Sequence, residues 1–193
     1  MKKILYIIPG YGESTAIGGY PEIIAHAAKK GYEVIPFNPK WSRSIMSQWV
    51  ENFLALAEQH DAKNISILGF SLGASISVLS ASKLNFREII SCSLSPFFKE
   101  DIAELSPKAR KTASDYLGKR RMADFKKYSF PSHLKTPIHF LVGSKETDYT
   151  DLVKKVKEYY FAWQGPKTLH VVQEARHDIS GSEYLRKIKD ILK

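Results

Sequence analysis

The chain has little sulfur to work with: Cys92 is the one cysteine in 193 residues. No internal disulfide can form, so the composition implies a reducing compartment and a buried, inert thiol. Long apolar runs are missing as well, and none approaches the roughly 20 residues that cross a bilayer. The opening stretch Met1-Lys2-Lys3-Ile4-Leu5-Tyr6-Ile7-Ile8-Pro9 has the charged start of a signal peptide. Its apolar part stops at Pro9 with no small-residue cleavage site behind it, so it reads as a first strand, and a cytoplasmic location is expected. A nucleotide loop is missing too. Gly10-Tyr11-Gly12-Glu13-Ser14-Thr15 has threonine where G-x-G-x-x-G needs glycine, and no Gly-Lys-Ser/Thr follows. There is no internal repeat and no low-complexity tract. No His, Cys and acid residues stand at metal-ligand spacing, so neither metal nor cofactor is implied.

Acid is in short supply. The sequence has 20 Asp and Glu against 29 Lys and Arg, a formal charge of +9, and the excess is unevenly placed. Between Pro107 and Thr136 nine basic residues (Lys108, Arg110, Lys111, Lys119, Arg120, Arg121, Lys126, Lys127, Lys135) face two acidic ones, Asp115 and Asp124. A solvated helix surface is the ordinary explanation of such a run. Nucleic acid, anionic lipid or an acidic substrate are the partners it could attract.

What the chain does have is 44% hydrophobic residues in a length that suits one domain over 1–193 with a sizeable core. Apolar strands at about 2–9, 32–37, 64–70, 88–95, 137–143 and 168–172 alternate with helical patterns at 21–30, 44–59, 71–84, 150–163 and 183–192. Trp49 and Phe53 fall on the apolar stripe of their helix and need no ligand to explain them. From Pro96 to Thr136 no strand is evident. Ala103 to Leu117 and the stretch near Met122 to Phe125 read as short helices, and this segment is either a cap over the active edge or a plain crossover with a long approach. Alternation of this kind predicts an α/β fold, a parallel six-stranded sheet covered on both faces. Ligands then sit beyond the carboxyl ends of the strands, at the loops starting near Gly10, Ser71, Ser144 and Gln173.

One of those loops carries a motif. The run Ile65-Ser66-Ile67-Leu68-Gly69-Phe70-Ser71-Leu72-Gly73-Ala74-Ser75 is an apolar strand entering G-x-S-x-G, followed by small residues without proline. That is the layout of a nucleophile elbow, with Ser71 on a strained turn and Gly69 and Gly73 leaving room for strand and helix to approach. A serine hydroxyl needs a base to take its proton, usually a histidine held in one tautomer by a carboxylate. Of six histidines, His26 and His60 fall in or at the end of helices, His133 precedes a strand, and His139 and His170 lie within strands. His177 alone follows the last strand in a polar loop, beside Asp178. The loop Gly143-Ser144-Lys145-Glu146-Thr147-Asp148 supplies two candidate acids, Glu146 and Asp148.

Here the chain resembles the α/β-hydrolase superfamily over nearly its whole length. The matching features are an opening strand ending in Pro9-Gly10-Tyr11-Gly12, the Gly69-Phe70-Ser71-Leu72-Gly73 elbow, an acid loop after strand five, a late histidine, and the order nucleophile, acid, histidine. It looks like the small bacterial serine hydrolases and carboxylesterases of that superfamily. The resemblance carries the acid, three residues after the loop glycine, to Glu146, with Asp148 as the alternative because the family more often uses aspartate. It places the two oxyanion-hole amides on Leu72 and Tyr11. Pro9-Gly10 stands where the family has His-Gly. The resemblance implies a serine hydrolase cleaving a carboxylic ester or thioester through an acyl-enzyme on Ser71, acting on a small acyl substrate. If the basic segment covers the site, that substrate is expected to carry an anionic group, and charge reversal at Lys119, Arg120 and Arg121 would test this. The alternative is a hydrolase-fold binding protein with little turnover, holding nucleic acid or a membrane through its basic segment. A salt-sensitive association with DNA or anionic vesicles separates the two.

Overall fold

A computed structural model of the chain describes residues 3–146 and 151–193. Six strands, β1 (Lys3–Ile8), β2 (Tyr32–Pro36), β3 (Ile65–Phe70), β4 (Glu88–Cys92), β5 (Ile138–Gly143) and β6 (Lys167–Val172), form one sheet in the order β2-β1-β3-β4-β5-β6. Every neighbouring pair is parallel. The chain steps from β1 outward to β2 and then back across to β3, so the loops leaving β1 and β3 part in opposite directions. A crevice opens at such a switch point. The register Ile8↔Gly69 brings the two strand ends level, which sets the loop after Ile8 beside the turn after Phe70.

Side chains alternate across the sheet with the period of two that strands impose. Tyr6, Ile8, Ile67 and Phe140 enter one core with α2 (Met46–Ala57), α3 (Leu72–Ser80) and α7 (Leu152–Ala162). Leu5, Ile7, Leu68, Phe70 and Leu141 enter the other with α1 (Tyr20–Lys29) and α8 (Ser182–Ile191). The result is three layers. Trp49 and Phe53 are core residues with no solvent exposure. Helix α3 is buried at all nine positions because it lies between the sheet and α2, which is why its sequence is apolar or small all round.

Three expected boundaries shift for local reasons. Strand β4 stops at Cys92 rather than Ser95, because Ser93 takes φ 50° and leaves the extended region. Helix α3 stops at Ser80 rather than Leu84, where the Ser80 carbonyl accepts from the Lys83 and Leu84 amides and closes a turn. The segment between β4 and β5 holds three helices, α4 (Lys99–Glu104), α5 (Pro107–Leu117) and α6 (Lys119–Phe125), so the helix expected over 103–117 is two helices. Asp101 starts the earlier one by reaching back 3.0 Å to the Phe98 amide. Pro107 then begins α5, where a missing N–H costs nothing, and Ser106 Oγ accepts from the Ala109 amide at 3.2 Å.

This insertion is cap-like and anchored at both ends. Buried Asp101 accepts from Tyr159 Oη and lies 3.4 Å from Lys155 Nζ, tying α4 to α7. Burial pushes the Asp101 carboxyl up from the usual carboxylate range, against the bonds it receives. Buried Asp124 accepts from the Ser47 amide at 2.9 Å, so α6 caps the start of α2 from across the fold. Between the anchors α5 buries only Leu117.

Candidate active site

Ser71 joins β3 to α3 with φ 55° and ψ −118°, a conformation that costs a non-glycine residue on the order of 1–3 kcal/mol. Its amide donates to the Cys92 carbonyl at 2.9 Å, fixing the turn to the next strand. The flanking glycines let helix and strands close up. A Cβ on Gly69 would stand 2.5 Å from the Gly73 carbonyl oxygen, and one on Gly73 would stand 2.2 Å from the Ile8 carbonyl oxygen and 2.5 Å from that of Pro9. The first turn of α3 therefore touches the start of the loop that carries Tyr11. Leu72 opens α3, so its amide is among those without an acceptor inside the helix.

His177 Nε2 lies 3.1 Å from Ser71 Oγ, and its Nδ1 lies 2.6 Å from Glu146 Oε2. The sheet brings these three together across 106 residues of chain. The loops that carry the acid and the histidine are laced to each other: the Ser144 amide donates to the Val172 carbonyl and the Lys145 amide to the Ala175 carbonyl, both at 2.9 Å. A carboxylate at Nδ1 keeps the imidazole proton there and leaves the Nε2 lone pair facing the serine hydroxyl. Glu146 is 4% exposed, whereas the His177 side chain is about half exposed, so the carboxylate is sealed and the imidazole reaches the surface.

Four neighbours of this arrangement are not apparent from sequence. Glu146 Oε1 accepts from the Gly143 amide at 2.6 Å and from Ser93 Oγ at 2.7 Å. Ser93 Oγ lies 2.6 Å from Tyr184 Oη, on α8. The Ser93 proton goes to the carboxylate, so the single Tyr184 proton has two acceptors, Ser93 Oγ and the Leu141 carbonyl 3.2 Å away. Burial, with Cys92 and Glu146 close by, pushes the Tyr184 phenol far above its ordinary range, so it stays a donor. The Phe70 ring lies 4.9 Å from the His177 ring and packs edge-on against Tyr184. Ser95 Oγ is 3.0 Å from Ser71 Oγ, a second hydroxyl at the same atom. Cys92 is buried and its thiol is pushed up by burial and by Glu146, which suits an inert role.

The loop after β1 is held by Glu13. Its Oε2 accepts from the Gly10 amide at 3.0 Å and from Tyr20 Oη, whose phenol is pushed far up by burial and by that carboxylate. Tyr11 packs edge-on against Trp41 and Tyr116, with ring centroids 5.6 and 5.4 Å away. The Arg121 guanidinium lies 5.5 Å over the Tyr11 ring. Two cap residues, Tyr116 and Arg121, thus reach the loop beside Ser71.

Asp148 lies outside the described residues. Asp178 accepts from the Ser180 amide at 2.8 Å and serves its own loop. His139 and His170 stack on each other at the β5–β6 edge and share Thr168. Among the described residues no group of three or more His, Cys, Asp or Glu is placed to hold a metal ion, and no helix is long and apolar enough to cross a membrane.

No family model and no curated protein sequence matches the chain. Solved structures do. Alpha/beta hydrolase domain-containing protein 10 from mouse superposes with a TM-score of 0.82 at 12% identity, covering 100% of this chain and 88% of the mouse one. A protein from Agrobacterium vitis S4 gives 0.80 at 16% identity, covering 98% and 87%. The RedJ thioesterase of the prodiginine biosynthetic pathway in Streptomyces coelicolor gives 0.65 at 16%, covering 99% and 85%. The chain has the α/β-hydrolase fold.

Proposed function

We propose that the protein is a serine hydrolase that cleaves a carboxylic ester or thioester through an acyl-enzyme on Ser71. His177 takes the serine proton and returns it to the leaving group, Glu146 orients and stabilises the imidazolium, and the Leu72 and Tyr11 amides receive the charge on the carbonyl oxygen. The observation that carries this reading is the chain of contacts from Ser71 Oγ through both nitrogens of His177 to the sealed Glu146. Supporting it, the loop that carries Tyr11 starts against the first turn of α3, where the Leu72 amide has no acceptor inside the helix. That one structural neighbour is a thioesterase agrees with the substrate class. Nitrophenyl esters of increasing acyl length, followed by rapid quench and mass spectrometry, test the reading. A burst of nitrophenol with the acyl group on the Ser71 peptide is expected. Turnover without an adduct in the burst phase contradicts it.

The Tyr184 hydroxyl acts at one remove, through Ser93 and Glu146. Tyr184→Phe is expected to lower kcat about tenfold with KM unchanged, since a loosened carboxylate is worth on the order of 1–2 kcal/mol. Steady-state kinetics check this, and a change in KM alone would place the tyrosine elsewhere.

The basic segment supports a substrate with an anionic group. Arg121 is a poor probe of that idea because its Nε and Nη1 donate to the carbonyls of Ser44 and Leu117, and its Nη2 to that of Trp41. Reversing it would loosen the cap. Lys119 and Arg120, both exposed, are the informative positions.

A further inference from the structure

Arg43, Arg120 and Arg121, with Ser42 and Ser44, line a cavity of about 170 Å³ between the approach to α2 and the α5–α6 junction. No acidic residue lines it, and among the described residues none of the three arginines has an ion-pair partner. Arg121 is fixed there by its three carbonyl acceptors, which orient its guanidinium without cancelling the charge. It also lies over the rings of Tyr11 and Trp49. Arg43 and Arg120 are exposed and free to close on a ligand. Like charges gathered this way repel one another, and an anion would relieve that. Guanidinium forks and serine hydroxyls suit an oxyanion with several acceptor oxygens. The volume is below the roughly 300–1,000 Å³ that takes a whole organic ligand, so it fits one charged group of a larger molecule. Arg121 links this cavity to the loop proposed to hold the substrate carbonyl, because its guanidinium also lies 5.5 Å over the Tyr11 ring.

We propose that the cavity binds a phosphate group carried by the acyl substrate, which makes the substrate a phosphate-bearing ester or thioester. This rests on the hydrolase reading above. The test has two arms on the full chain. The first titrates inorganic phosphate calorimetrically, at low ionic strength, into the wild type and an Arg43→Gln/Arg120→Gln double variant. The second measures the ratio of kcat/KM for an acyl thioester of a phosphorylated thiol to that of its dephosphorylated analogue. Phosphate binding weakened at least tenfold in the variant, with the ratio lowered by about the same factor, is the expected result. Both side chains are exposed, so an unchanged melting temperature should accompany it. Absence of phosphate binding, or equal binding by both proteins, overturns the site. Binding that is lost in the variant while the wild-type ratio stays near one overturns the substrate as its source and leaves a free phosphate ligand. If neither thioester is turned over while nitrophenyl esters are, the substrate half of this proposal is overturned and the hydrolase reading stands; if none of these substrates is turned over, both fail, and in either case the titration still decides the cavity.

Discussion

Replacing Glu146 with glutamine is expected to lower kcat/KM for an activated ester by up to about 10⁴-fold while leaving the fold intact. The size of the effect follows from the acid's second oxygen. Glu146 Oε1 accepts from the Gly143 amide and from Ser93 Oγ. A glutamine at 146 must place its carbonyl oxygen where those two donors point, which turns its NH2 toward His177 Nδ1. The imidazole then accepts at Nδ1 and carries its proton on Nε2, facing Ser71. In that tautomer it cannot take the serine proton. His177→Ala should cost at least as much, because it removes the proposed base outright. Steady-state kinetics on both variants, with circular dichroism as a check of folding, measure this. A Glu146→Gln protein within tenfold of wild type would show that Glu146 is not the orienting acid and would turn attention to Asp148.

The second large effect is structural. Gly73→Ala is expected to destabilise the protein by about 3 kcal/mol or more, or to prevent its accumulation in folded form. The added Cβ meets the main-chain carbonyls of Ile8 and Pro9 at 2.2 and 2.5 Å. Neither side can yield cheaply, since Ile8 belongs to a central strand and α3 is buried along its whole length. Gly12 is the contrasting control. It has φ 80° and open space where a Cβ would go, so Gly12→Ala should cost only about 1 kcal/mol of backbone strain. Urea unfolding of the two variants reads the difference, and equal midpoints would refute the close-packing account of the β3–α3 turn.

The residues of the candidate site that are legible in the sequence are those whose signal is local or carried by the resemblance. Ser71 stands in a five-letter motif between an apolar strand and a helix of small residues. The loop after strand five offers Glu146 and Asp148, and the resemblance to the α/β-hydrolases favours Glu146, three residues after the loop glycine. His177 is set apart because the other five histidines fall in or beside regular elements. The supporting residues were not legible, because their roles come from long-range contacts. Ser93 reads as one more strand residue, and only its φ of 50° turns it out of β4 toward Glu146, 53 positions away. Tyr184 reads as an ordinary core position on an amphipathic helix, and its hydroxyl meets Ser93 across 91 residues. Arg121 reads as part of a solvated basic run, yet its guanidinium is bound to three main-chain carbonyls and lies over two aromatic rings. Charge counting cannot separate such an arginine from the exposed Arg120 beside it.

The central claim, that Ser71 is an activated nucleophile, is tested most directly by labelling the purified protein with a fluorophosphonate probe and mapping the modified peptide. Rapid labelling of the wild type at Ser71, abolished in Ser71→Ala and strongly slowed in His177→Ala, is the predicted result. A folded wild-type protein that stays unlabelled, or that takes the probe at another residue, would contradict the account.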